Sequence, residues 1–385
     1  MHLVFRLKLQ AKKYPKSIIA YIKIHLVLYQ KGLGREASMR YKILGKTGLR
    51  VSELAFGSIQ ITRIDEKDAI SLVRSAYEIG INLIDTANAY FNSEEILGKA
   101  LKNIRKNVHI ISKSASRNKK DFLKDFNLSL KRLNTDYIDI YLFHNISKEA
   151  EFEGLINSGV IDALAREKSK GKVLHIGFSC HNPAVIKRFF EVADFSVIMI
   201  PLNFISTEYV EKKIYGRFMD NNTGILAMKP FGGGRLLDIE LCFKFLRLYP
   251  EVIPVAGMQS KKELEQNIMF AGRDDVPDGN DKKKISKLSN ELGDRFCRQC
   301  GYCMPCSAKG IEITDINFIE VYYRQFPEND FWKPGLEQKV DVARQCTQCG
   351  KCSEKCPFNL DVPKIIKSNI AFFDYIKSVK NNSRT

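Results

Sequence analysis

Eight of the ten cysteines fall in two short runs, Cys297-x2-Cys300-x2-Cys303-x2-Cys306 and Cys346-x2-Cys349-x2-Cys352-x3-Cys356-Pro357. Cysteines three residues apart are poorly placed to pair with one another, whereas thiolates at that interval wrap one corner of a metal core. The implied chemistry is iron–sulfur ligation in a reducing cytoplasm. A second group, Asp85, Tyr90, Lys113 and His144, lies in the first half of the chain, and three of its members directly follow apolar runs. A phenol titrates at about 10, so proton transfer near neutrality needs a neighbouring cation, which Lys113 can supply. Asp85 would hold that lysine and His144 would orient a carbonyl. Taken singly, each residue has a plainer use, as a helix cap, a rim lysine, a packing ring or a satisfied histidine. Their recurrence at successive strand ends is what points to a site.

The elements that must position them follow from hydrophobic periodicity. Tyr41–Leu44, a Gly45–Gly48 turn and Leu49–Val51 predict a hairpin. Eight apolar runs follow: Leu54–Gly57, Asn82–Asp85, Val108–Ser112, Ile138–His144, Leu174–Ser179, Val197–Leu202, Gly224–Met228 and Val252–Val255. Amphipathic segments such as Lys67–Ile79, Glu94–Ile104, Lys120–Leu133, Val160–Lys170 and Pro183–Val192 separate them, with apolar residues three and four apart. Eight strands alternating with helices predict an α/β fold, a (β/α)8 TIM barrel over residues 39–294, whose chemistry sits at the C-terminal strand ends. A doubly wound sheet is disfavoured because no Gly-x-Gly-x-x-Gly follows the first strand. The polar segment Gly272–Lys284 reads as a loop. Residues 295–385 form a small, largely helical cluster domain.

A formal charge of +17 raises nucleic acid as a partner, but its distribution argues otherwise. Residues 1–38 carry eight Lys/Arg against Glu36 alone, which puts +7 there and leaves +10 for the rest. Two oxidised clusters, each net −2 with four thiolates, lower that to about +6. The apolar stretch Ser17–Tyr29 is interrupted by Lys23 and His25 and is too short to span a bilayer. Translation is expected to begin at Met39, which would make 1–38 an extension outside the native protein.

From Met39 to about Phe358 the sequence resembles the aldo/keto reductase superfamily, in the branch that carries a C-terminal 4Fe-4S ferredoxin-like domain. The resemblance rests on Met39-Arg-Tyr-Lys-Ile-Leu-Gly-Lys-Thr-Gly-Leu-Arg-Val-Ser, Ile84-Asp-Thr-Ala…Tyr90…Ser93-Glu-Glu-Ile-Leu-Gly-Lys-Ala-Leu, Arg132-Leu-Asn-Thr-Asp-Tyr-Ile-Asp-Ile-Tyr-Leu-Phe-His-Asn and Met228-Lys-Pro-Phe-Gly-Gly-Gly. It implies that Asp85, Tyr90, Lys113 and His144 form a catalytic tetrad, with Tyr90 giving a proton to a carbonyl oxygen as hydride arrives from NADP(H) or NAD(H). It also implies cofactor contacts at Ser179, Lys229, Gly232, Gly233, Gly234, Ser260 and Asn267. The chain departs from the pattern where the family's asparagine, glutamine, stacking aromatic and arginine fall at Cys180, Met199, Met228 and Glu263. A carboxylate at that last position repels a 2′-phosphate and weakens the case for NADP over NAD, with Lys261 or Lys262 able to compensate.

The second cysteine run has ferredoxin spacing, in which the fourth cysteine reaches across to the other cluster. A crossed assignment of two [4Fe-4S] clusters follows: Cys297, Cys300, Cys303 and Cys356 on one, Cys346, Cys349, Cys352 and Cys306 on the other. Ser307 stands where related sequences have proline. Zinc knuckles and a single cluster with spare thiols are the alternatives, and the unbroken three-residue spacing argues against zinc. Cys242 reads as a core residue. The expected function is an oxidoreductase acting on a small carbonyl or alcohol, with the clusters linking a ferredoxin-like or flavoprotein electron partner to the barrel. The alternative is a non-catalytic redox sensor that has kept the barrel. No nucleic-acid partner and no membrane span are expected.

Overall fold

The computed structural model describes residues 39–382 apart from 147, 187, 193, 194, 212, 294, 300, 305, 307, 308 and 357. The expectations on residues 1–38, on Cys300 as a ligand, on Ser307 and on the boundary at Asp294 therefore lie outside the described residues.

Strands β1 (Tyr41–Ile43) and β2 (Arg50–Ser52) pair antiparallel. Eight parallel strands then close a barrel: β3 (Ala55–Gly57), β4 (Leu83–Asp85), β5 (His109–Ser114), β6 (Ile138–Phe143), β7 (Val173–Ser179), β8 (Val197–Pro201), β9 (Gly224–Met228) and β10 (Val252–Gly257), with β10 returning to β3. Side-chain alternation explains why these runs read as almost wholly apolar: on β6, Ile140 and Leu142 face the interior while Tyr141 and Phe143 face the helices. The hairpin supplies Leu44 and Val51 to that same interior cluster and so closes one end of the barrel.

The barrel helices are α1 (Glu66–Glu78), α2 (Ser93–Leu101), α3 (Lys119–Leu133), α4 (Glu149–Asn157), α5 (Val160–Ser169), α6 (Pro183–Ile186), α7 (Phe189–Val192), α8 (Glu208–Glu211), α9 (Ile214–Asp220), α10 (Ile239–Leu246), α11 (Lys261–Ala271) and α12 (Gly279–Gly293). On α1 the buried residues Ala69, Leu72, Val73 and Ala76 recur at three and four, which is the periodicity that marks it in the sequence. The Asn118 side chain caps α3 by accepting the Asp121 N–H at 2.9 Å. Two expectations need correction. Pro183–Val192 is not one helix but two short ones. The segment expected as a loop is helical from Gly279, because Asp278 accepts the Asp281 N–H and Ile285, Leu288 and Leu292 lie along one half-buried stripe.

At the far end of β5 and β6, Asp139 is buried and accepts from Arg105 at 2.8 Å, from the Ile110 N–H at 3.0 Å and lies 3.1 Å from His109 Nδ1. The chain beyond α12 forms α13 (Ile313–Ile316), α14 (Ile319–Gln325), α15 (Glu328–Phe331), α16 (Pro334–Ala343), α17 (Lys351–Glu354) and α18 (Val362–Asn382). These helices share a separate core that includes Phe318, Ile319, Val321, Phe331, Ile366 and Phe373 together with Cys297 and Cys303. No helix among the described residues is long and apolar enough to cross a membrane.

Candidate active site

Asp85 ends β4, Lys113 lies in β5 and His144 follows β6, so the closed barrel carries all three to one end. Tyr90 joins them from the loop after β4, and all four line one cavity of about 770 Å³. Lys113 is fully buried, with Nζ 2.5 Å from Asp85 Oδ1, donating to the Thr86 carbonyl at 2.7 Å and lying 4.8 Å from the Tyr90 ring centroid. Burial pulls the ammonium down, yet Asp85 and Tyr90 together hold it above its usual value, so it stays charged. The Tyr90 phenol is pushed up by burial and partly restrained by Lys113, which keeps it protonated.

The His144 ring meets the Tyr90 ring edge to face at 5.7 Å. Burial, Lys113 and Arg117 push its pKa down to about 3, which makes it a neutral imidazole at any ordinary pH. Its Nδ1 is buried without a hydrogen-bond partner among the described residues. The arrangement is a proton donor, a buried cation behind it and a neutral hydrogen-bonding ring beside it, all opening on one space.

From these residues the cavity runs past Ser179, Lys229, Gly233 and Gly234 to Asn267. The Ser179 hydroxyl accepts the Asn145 N–H at 2.7 Å, which leaves its own hydrogen to donate. Glu263 lines the far end, and its carboxylate accepts the Gln259 N–H at 2.7 Å. Of the residues expected to touch a nicotinamide cofactor, Gly232 and Ser260 stand elsewhere. A Cβ on Gly232 would meet Phe296 at 2.8 Å, and Ser260 caps α11 by accepting the Glu263 N–H at 3.2 Å.

Sequence reasoning missed the outer wall of this cavity, which comes from the cluster domain: Gln299, Phe318, Tyr322, Arg324, Gln325 and Phe326. Gly232, Gly233 and Gly234 all hold positive φ, and a Cβ on Gly233 would meet Val321 at 3.1 Å, so the loop packs against α14 on one side. Arg324 donates to the Gly234 carbonyl at 2.9 Å, Phe326 meets Phe91 at 5.2 Å, and Tyr302 donates to Asn182 at 3.0 Å. An ion pair of 2.6 Å between Arg298 and Glu208 fastens the first cysteine run to α8. The available signal was the aromatic density of Phe318–Phe331, which reads equally well as core.

In the cluster domain, Cys303, Cys306, Cys346, Cys349 and Cys352 line a single cavity, which brings both Cys303 and Cys306 of the first run to the second. Burial, with the sulfurs of Cys346 and Cys349, pushes the Cys352 thiol up. The donor set suits iron. Cys297 is buried against the barrel side, and Arg235 donates to its carbonyl at 3.3 Å. Cys180 and Cys242 are buried apart from both runs, in the core packed around the barrel.

Comparison with known proteins agrees with both halves. Residues 53–242 match the aldo/keto reductase family and residues 296–361 match a 4Fe-4S dicluster domain. The uncharacterized oxidoreductase YqkF of Bacillus subtilis is 31% identical over 214 residues, covering 52% of this chain and 67% of that one. The L-galactose dehydrogenase of Arabidopsis thaliana is 36% identical over 155 residues, 36% of this chain and 47% of that one. The chain thus spans about half to two thirds of the length of these curated relatives. An aldo-keto reductase from Bacillus halodurans shares the fold at a TM-score of 0.58 and 23% identity, over 65% of this chain and 96% of that one. The chain therefore belongs to the aldo/keto reductase family and carries a 4Fe-4S dicluster domain behind its barrel.

Proposed function

We propose that the protein is a cytoplasmic oxidoreductase that reduces a small carbonyl compound, or oxidises the matching alcohol, with a nicotinamide cofactor, and that two [4Fe-4S] clusters couple this chemistry to one-electron transfer. Residues 39–294 supply the reducing barrel and 295–385 the cluster domain. The single observation behind the coupling is the shared cavity: Gln299, two residues from Cys297, lines the same space as Tyr90.

When bound, the nicotinamide supplies the hydride. The chain's own residues do the rest. His144 and Tyr90 hydrogen-bond the carbonyl oxygen and orient it; Tyr90 gives its phenolic proton as charge develops there; Lys113 stabilises the phenolate left behind, and Asp85 keeps that ammonium in place. Ser179 is suited to the carboxamide, and the backbone at Gly233 and Gly234, with Lys229, to the phosphates. Glu263 favours NADH over NADPH by charge repulsion. Cys297, Cys300, Cys303 and Cys356 would hold one cluster and Cys346, Cys349, Cys352 and Cys306 the other. A ferredoxin-like or flavoprotein carrier would exchange electrons with them.

The test is anaerobic purification, with iron and sulfide analysis, followed by titration with NADH and NADPH against a panel of aldehydes and ketones. The reading expects about eight irons per chain and nicotinamide oxidation that requires both a carbonyl compound and Tyr90. Iron-replete protein that oxidises neither nucleotide with any carbonyl removes the reductase reading.

A further inference from the structure

Phe91 directly follows the proton donor, and its backbone is left-handed at φ 49° although it carries a side chain. Such a conformation persists only where surrounding contacts over-determine it. The first half of its loop is pinned to the barrel: the Thr86 N–H donates to the Ile111 carbonyl at 2.8 Å, the Asn88 N–H to the Lys113 carbonyl at 2.9 Å, and Arg132 to the Asn88 carbonyl at 3.2 Å. The second half is closed by local turns, from the Tyr90 N–H to the Ala87 carbonyl and from the Ser93 N–H to the Tyr90 carbonyl, both at 2.9 Å. Ala89 and Asn92 are exposed on either side of Tyr90 and Phe91. Beyond those turns, the half-buried Phe91 ring leans edge-on against Phe326 of the cluster domain, with centroids 5.2 Å apart and planes at 73°.

Phe326 is itself anchored. Just past the end of α14, its N–H donates to the Tyr322 carbonyl at 2.7 Å, its ring stacks on that of Tyr322 at 4.7 Å, and the Tyr322 hydroxyl donates to Asp315 at 3.1 Å. The same helix reaches two more loops at this end of the barrel: Arg63, after β3, donates to the Tyr323 carbonyl at 2.8 Å, and Arg324 donates to Gly234, after β9. An edge-to-face ring pair contributes about as much as one left-handed residue costs, so the contact with Phe326 is of the size needed to keep Phe91 where it is. We propose that Phe326 is a positioning residue for proton transfer: through Phe91 it keeps the Tyr90 phenol against His144 and Lys113, so that chemistry carried out in the barrel depends on a ring supplied by the cluster domain. Phe326 also lines the cavity, whereas Phe91 does not, and this separates positioning from direct contact with a substrate. The inference rests on the proposed reductase reading.

The experiment is steady-state kinetics of the full chain, purified anaerobically, on a carbonyl compound that the natural protein reduces, with Phe326→Ala and Phe91→Asn beside it. Asparagine tolerates left-handed backbone, so Phe91→Asn removes the ring without adding strain. Each variant is expected to lower kcat about tenfold or more and to leave the KM for the nicotinamide within about twofold. Phe326→Tyr keeps the ring and should retain the natural rate. In a Tyr90→Phe background neither Phe326→Ala nor Phe91→Asn should slow the residual reaction further, because no phenol is left to misplace. A general structural role for Phe326 predicts that further loss. An unchanged kcat in either variant, a loss in Phe326→Tyr as large as in Phe326→Ala, or a further loss on top of Tyr90→Phe each overturns the proposal. If Phe326→Ala does not fold, Phe91→Asn decides alone by the same criteria. Natural protein that reduces no carbonyl removes the reductase reading and this inference together, whereas active protein indifferent to both substitutions removes this inference alone.

Discussion

Lys229 Nζ donates to Gln299 Oε1 at 2.6 Å, and both residues hold left-handed backbone, at φ 53° and 59°. Non-glycine residues in that region cost on the order of 1 kcal/mol each. Two such residues facing each other, one just past β9 and one inside the first cysteine run, mark a junction whose surroundings hold both backbones in place. The Phe318 ring lies 4.5 Å beneath the same ammonium, so the barrel loop and the cluster domain share one contact.

Tyr90→Phe removes only the phenolic oxygen and leaves the ring against His144. Carbonyl reduction should fall about a hundredfold or more, with nicotinamide affinity unchanged, as steady-state kinetics and fluorescence titration will show. Asp85→Asn should lower kcat less, because Lys113 keeps its bond to the Thr86 carbonyl.

The pH profile of reduction follows from the proton inventory. A donor must be protonated, so the rate is flat at low pH and falls as pH rises through the donor's pKa. Burial places Tyr90 above its ordinary value and holds His144 down at about 3. The kcat profile should therefore show no histidine limb and stay level from about pH 6 to about pH 9. A limb near 6.5 that disappears in His144→Gln would contradict the neutral imidazole.

On the proposed reading, Glu263 sets nucleotide choice. Glu263→Gln removes a negative charge that faces any 2′-phosphate and should improve NADPH affinity about tenfold, while leaving NADH within about twofold. Direct binding titrations with both nucleotides measure this.

Cys303 and Cys306 of the first run both line the cavity of Cys346, Cys349 and Cys352, and the proposed crossed assignment gives Cys306, not Cys303, to that set. Cys306→Ser and Cys349→Ser should therefore abolish the same paramagnetic centre and leave the other, whereas Cys297→Ser should abolish the second centre. Loss of different centres in Cys306→Ser and Cys349→Ser would show that the runs do not cross.

Asp139 tests the barrel rather than the site. Its side chain is 4% exposed and pairs with Arg105 at 2.8 Å. Burial works to raise its pKa, but His109, Arg105 and the Ile110 N–H outweigh that and depress it. The stabilisation it contributes is present above the unfolded pKa of about 3.9 and is lost as pH falls through the lower folded value. Asp139→Asn should cost about 3 kcal/mol at neutral pH by urea denaturation, with the deficit shrinking in acid.

Strand ends were legible because a run such as Ile138–Phe143 is, Asp139 aside, apolar on both faces and stops abruptly at His144-Asn145. The four residues at the centre could be found for the same reason, since a barrel turns distance along the chain into neighbourhood around a ring. Helix α12 was not legible: it buries no residue fully, and its Gly-Asn-Asp start carries turn composition. The outer wall was not legible either. Tyr322, in a short helix, and Phe326, just past its end, stack at 4.7 Å, and nothing local distinguishes rings that face a cavity from rings that fill a core. Gly232–Gly234 stand out in the sequence as expected cofactor contacts, but their packing against Phe296 and Val321 depends on residues tens of positions away.

Tyr322, in α14, and Phe326, just past its end, pack against a core that includes Cys297 and Cys303. Should iron bind those sulfurs as proposed, its loss in air would loosen that core and with it the wall that Gln299, Phe318, Tyr322, Arg324, Gln325 and Phe326 give the barrel cavity. Oxygen sensitivity would then be a property of the active-site architecture as well as of the electron carriers.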